Sequence, residues 1–210
     1  MTASAPTQRR TRRLVGIVEA AAVAVVAAFA WTSNRYDIAF GIFSGDSSRR
    51  VVDRWYAGLL SDIGIVLWAL AAGVLVFVAV RAGIDASTRA RVTAVAVTLA
   101  WLGADDLFVL HEEVIPERFG IAEPVVLGTE AVVIAVMIAA TAPLWRRVAP
   151  RVFIGAWAVL AASLVIARLP LGPLASTAVA SCCKFVGIAN LFLFAVLTAS
   201  AEAGAQNRSG

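Results

Sequence analysis

The stretch Trp101-Leu102-Gly103-Ala104-Asp105-Asp106-Leu107-Phe108-Val109-Leu110-His111-Glu112-Glu113 holds two adjacent carboxylates, the single histidine of the chain and two further carboxylates. Adjacent like charges repel, so one of Asp105 and Asp106 is expected to meet a proton, a cation or a basic side chain. Carboxylates beside one imidazole suit a divalent cation, with Ca²⁺, Mg²⁺ or Mn²⁺ favoured over Zn²⁺ by the excess of oxygen donors. His111-Glu112-Glu113-Val114-Ile115 lacks the second histidine of the HExxH zinc motif. The chain carries no GxSxG nucleophile elbow and no phosphate-binding P-loop. These absences weaken a familiar enzymatic reading and leave open an unfamiliar one.

The elements that must position these residues read as membrane spans. Of 210 residues, 60% are hydrophobic and 15% are charged, whereas soluble domains average about half apolar and about a quarter charged. The apolar residues fall in long blocks, which predicts an all-α integral membrane bundle of about six transmembrane helices. The expected spans are about 14–31, 57–80, 92–111, 125–145, 152–168 and 175–199. They lie between a basic tail (1–13) and a polar tail (200–210). The end of the first run, Ala28-Phe29-Ala30, resembles a small-x-small cleavage site. That run is long for a signal-peptide core and contains Glu19, so it reads as an anchor. Cys182 and Cys183 are adjacent within an apolar run, have no metal-ligand spacing, and read as small buried residues.

Basic residues flank the apolar runs as topology signals and form no nucleic-acid-binding stripe. Eleven Lys and Arg fall in the N-terminal segment, in 81–91, in 146–151 and in the C-terminal tail; five fall on the opposite side. The excess places both termini in the cytoplasm of a bacterial inner membrane. The expected partners are membrane lipids and a small polar or lipid substrate.

Span length places the charges in depth. The uncharged part of the third span, Val92 to Ala104, covers roughly 20 Å against a hydrocarbon thickness of about 30 Å. The helix must therefore continue through Asp105 and Asp106 to about His111, and Pro116 provides a stop. The uncharged run 131–145 is similarly short, so Glu130 is embedded as well. With alternating span direction, Asp62, Asp105, Asp106, Glu130, Arg168 and Lys184 all fall in the outer half of the bilayer. Ionisable groups in hydrocarbon cost at least about 2.5–3.5 kcal/mol each and face one another or water. One outward-facing acidic cluster is the result, with Asp62, Asp105, Asp106, His111, Glu112 and Glu130 as candidate metal ligands and Arg168 and Lys184 as counter-charges.

Helical phase limits that cluster. Asp105 aligns with Glu112 and Asp106 with Glu113, while His111 projects about 100° away from Glu112. Either the helix unwinds near His111 or His111 meets another helix. Three functions compete: a divalent-cation site serving metal-assisted chemistry, a proton or cation relay continuing past Glu19, and a scaffold of ion pairs. The scaffold would pair Asp105 or Asp106 with Arg168, and Glu130 with Lys184. Each residue also has a plainer role. His111, Glu112, Glu113 and Glu117 suit a solvated helix end, and Asp62 suits a helix cap beside Ser61. Lys184 suits a snorkelling position, and Arg168 a helix C-terminus.

The segments Asp105-Asp106-Leu107-Phe108-Val109-Leu110-His111-Glu112 and Lys184-Phe185-Val186-Gly187-Ile188 resemble recurring segments of uncharacterised bacterial multi-pass membrane proteins. The resemblance implies no activity. It implies that the acidic segment and the lysine of the sixth span belong together. Asp105-Asp106 followed by Val109 departs from the DDxxD pattern with which intramembrane prenyltransferases hold magnesium diphosphate. One histidine is too few for the zinc site of membrane hydrolases of the alkaline ceramidase type.

Overall fold

The fold follows from apolar runs long enough to cross a bilayer, separated by Gly, Pro and Arg-rich breaks. In a computed structural model, residues 5–38, 40–44, 58–81, 83–169 and 173–206 are described. Most of the expected loop after the first span, and the turn at Pro170 and Gly172, lie outside them. The described residues form an all-α bundle. In order, the helices are α1 (Ala5–Tyr36), α2 (Phe40–Ser44), α3 (Leu59–Val80) and α4 (Ala86–Phe108). A π-helical turn (Leu110–Val114) follows, then α5 (Ile115–Phe119), α6 (Glu123–Ala140), α7 (Ala142–Val148), α8 (Pro150–Ala167) and α9 (Pro173–Gln206). Among the described residues, five helices are long and apolar enough to cross a membrane, or six if the bent pair around Val109 counts as one span.

Several boundaries differ from the sequence expectation: α1 runs past residue 31 to Tyr36, and α9 continues to Gln206, into the expected polar tail. The first helix starts at Ala5, inside the segment expected to be a basic tail. The third span is two pieces, turned through 65° at Val109. The fourth is broken at Thr141, because Pro143 lies in the first turn of α7 and cannot continue the backbone ladder of α6. The Trp145 indole N–H donates to the Ile138 carbonyl across that break at 2.9 Å.

The core lies between α3, α4, α8 and α9, where Leu75, Val92, Leu99, Phe153, Leu191 and Phe194 are fully buried. Phe153 packs its ring 4.6 Å from Phe194 and 5.8 Å from Trp145. Close approach of α8 and α9 requires Gly187, where a Cβ would stand 2.6 Å from the Leu160 side chain. The α3–α4 contact depends in the same way on Gly103, where a Cβ would lie 2.9 Å from Trp68 Cβ. Gly103→Val is therefore expected to displace Trp68 and to destabilise the fold by about 1–3 kcal/mol. Thermal unfolding in detergent reads the loss, and an unchanged midpoint would show that the helices separate there without cost.

Asp85 starts α4. Its Oδ1 accepts from the Ser87 hydroxyl at 2.6 Å and the Thr88 amide at 2.9 Å. Those bonds hold its carboxyl well below the usual carboxylate range. A depressed folded-state value contributes stability that is complete above the ordinary carboxylate range near pH 4 and fades as pH falls below it. Asp85→Asn is expected to keep the cap at neutral pH and to remove this acid dependence. Exchange protection of the Thr88 and Arg89 amides between pH 6 and pH 3 checks it.

Candidate functional site

Helix α4 delivers Asp105 and Asp106 at its end, and the chain then does something an α-helix avoids. Val109 adopts φ 54° and ψ 44°, in the left-handed region, while buried to 3% exposure. That conformation is a genuine outlier for a β-branched residue and costs on the order of 1–3 kcal/mol. The π-helical turn that follows takes its first bonds from the Val109 carbonyl, which accepts the Glu113 amide at 3.0 Å and the Val114 amide at 3.2 Å.

The bend brings His111 onto Asp105. In a continuous α-helix, residues six apart are about 9 Å apart along the axis and about 120° out of phase. Here the His111 amide donates to Asp105 Oδ1 at 2.9 Å, and His111 Nδ1 meets Asp105 Oδ2 directly. Asp105 is 3% exposed, and His111 occupies both of its oxygens. His111 Nε2 lies 3.6 Å from Glu112 Oε1 on the other side of the ring. Of the two alternatives that helical phase left for His111, the helix breaks.

Glu130 comes from α6. A carboxylate oxygen of Glu130, a carboxylate oxygen of Asp105 and a ring nitrogen of His111 lie within 4.8 Å of one another. The Trp101 indole N–H donates to Glu130 Oε1 at 2.9 Å and ties α4 to α6.

Asp106 points elsewhere. Its Oδ1 accepts from Lys184 Nζ of α9 at 2.7 Å, and its Oδ2 from the Trp68 indole of α3 at 2.9 Å. Arg168 pairs with Glu123 at 2.7 Å, at the start of α6. At a separate place, Arg147 of α7 pairs with Glu202 of α9. The expected scaffold pairings are thus corrected: Lys184 meets Asp106 and not Glu130, and Arg168 meets Glu123 and neither aspartate. For Lys184 the reason is rotational: Asp105 and Asp106 point about 100° apart on α4, so Asp106 meets α9 while Asp105 groups with Glu130 of α6.

The charges expected in one cluster do not form a single one. Asp105, His111 and Glu130 converge, while Asp106 and Lys184 form an ion pair capped by Trp68. Asp62 is half-buried in the first turn of α3, outside the converging trio. Glu112 lies against the His111 ring and is exposed. Glu19 is exposed on α1. The sequence reading missed Trp68 and Gly103, since an indole and a glycine within apolar runs look like ordinary packing residues.

Chemically, the trio can bind a cation or hold a proton on His111 against Asp105. Two ligands on one ion stand roughly 3 Å apart, given bonds of about 2.1 Å. A bound ion would therefore open the His111–Asp105 contact and displace the proton between them.

The family model described as "Domain of unknown function (DUF8692)" matches residues 17–199. No curated protein and no solved structure matches the chain.

Proposed function

We propose, for a chain that belongs to the DUF8692 family, that Asp105, His111 and Glu130 hold a divalent cation in the membrane-embedded bundle. The observation that carries this reading is the strained Val109, which folds the chain back so that His111 reaches Asp105 beside Glu130. Such strain is retained where the surrounding structure over-determines it, and it clusters at functional sites. An ion-pair scaffold needs no such bend, and Asp106–Lys184, Glu123–Arg168 and Arg147–Glu202 already supply scaffold pairs.

The donor set sharpens the ion. Two carboxylates with one imidazole nitrogen favour Mn²⁺ or Zn²⁺ over the all-oxygen preference of Ca²⁺ and Mg²⁺. Three protein donors leave positions open for water or a substrate oxygen, as a catalytic metal requires. A relay across the membrane is less well supported, because Glu19, its expected continuation, is exposed on α1. The distribution of arginines supports a bacterial inner membrane with both termini cytoplasmic, which puts the site in the outer half of the bilayer.

Thermal unfolding of metal-stripped protein tests the reading. An ion that binds only the folded state, at a hundred times its Kd, stabilises by about 2.7 kcal/mol. Mn²⁺ or Zn²⁺ should raise Tm for the native chain and leave Glu130→Gln unchanged. Equal rises in both proteins would place any binding elsewhere.

A further inference from the structure

Glu130 sits where an intramembrane carboxylate is least expected. Only Val126 and Met137 of the eighteen residues of α6 are buried, so the helix lies on the flank of the bundle. The Trp101–Glu130 hydrogen bond crosses the α4–α6 seam at the surface, and Trp101 is 47% exposed. Phe108, two turns further along α4, is 58% exposed, and Val133, one turn below Glu130, is 53% exposed. In a bilayer these apolar walls face acyl chains. A carboxylate at such depth ordinarily faces the bundle interior or water.

From this we infer that the cation site opens sideways to the lipid phase between α4 and α6, and takes a neutral lipid bearing an ester or hydroxyl oxygen. The inference rests on the cation reading of Asp105, His111 and Glu130. The apolar walls select a ligand that carries an acyl chain. Charge selects its polar end. A divalent ion with the Asp105 and Glu130 carboxylates and a neutral His111 sums to zero. Glu112 adds negative charge beside His111, and Lys184, the nearby cation among the described residues, is held by Asp106. A phosphate headgroup would bring further negative charge into a low-dielectric site with no free counter-charge among the described residues, whereas an ester carbonyl or hydroxyl oxygen fills an open position on the ion without charge.

Photocrosslinking in nanodiscs tests this. The probe is a diacylglycerol with a diazirine near the ester, applied to Mn²⁺-loaded protein. Labels are expected on the α4–α6 seam, within residues 101–108 and 125–136. Unlabelled diacylglycerol should compete at least about fivefold better than phosphatidate of the same chain length. Val133→Trp, which narrows the seam and leaves the trio intact, should lose most seam labelling and keep its metal content. Labelling spread evenly over all lipid-facing helices, seam labelling unaffected by Val133→Trp, or equal competition by phosphatidate or by glycerol would overturn the inference. Loss of the underlying cation reading registers separately, as native protein that retains no metal.

Discussion

Asp105→Asn is expected to weaken divalent-cation binding at least about 100-fold while leaving the bundle folded. Loss of a partner outside the coordination shell already costs about 10–100-fold in metal affinity, and a direct ligand should cost no less. The amide keeps an oxygen for the His111 backbone N–H, so the bend at Val109 retains its closing hydrogen bond. What disappears is the charge, together with the acceptor that fixes the His111 ring. Asp106→Asn removes the same charge one residue away, but Asp106 faces Lys184 and Trp68 and lies outside the trio. It should change affinity by less than about tenfold, through long-range electrostatics alone. Calorimetric Mn²⁺ titration of the two variants separates these cases. Equal losses would mean that the trio has no special status. Because binding displaces the proton between His111 and Asp105, affinity should also fall as pH is lowered.

The second large effect concerns the fold. Lys184→Met is expected to destabilise the protein by about 3 kcal/mol, because it leaves the Asp106 carboxylate, with a side chain only 12% exposed, facing an indole and no cation. Adding Asp106→Asn should restore most of the loss, since the buried charge is then gone and the Trp68 N–H keeps an acceptor. A double-mutant cycle by thermal unfolding reads this. A double variant as unstable as Lys184→Met would show that Lys184 acts through packing of its stem. Neither change touches the trio, so metal affinity per folded molecule should hold to within about tenfold.

Span length and helical period together made much of this legible. The short uncharged runs before Asp105 and after Glu130 put both carboxylates at one expected depth, and they converge with His111 within 4.8 Å. The phase mismatch at His111 left a break near it as one of two alternatives, and the break falls two residues before it. Pro116 looked like the natural stop, but the chain turns at Val109, a residue whose type argues against a left-handed conformation. Only the surrounding contacts could impose that, and they are tertiary. Pairings were the weakest part. Lys184 and Arg168 have the right depth for several acids, and depth says nothing of which helices adjoin or how each is rotated. The Trp68–Gly103 approach, which sets the indole on Asp106, leaves no mark in one sequence beyond a glycine in an apolar run.

The chain contains one histidine, which makes the central claim directly measurable. Tag-free protein loaded with one equivalent of Mn²⁺ can be examined by pulsed electron paramagnetic resonance for coupling to an imidazole nitrogen. The proposed site predicts bound Mn²⁺ with a single ¹⁴N coupling, abolished in His111→Gln. Retention of no Mn²⁺, or bound Mn²⁺ without nitrogen coupling, would contradict it.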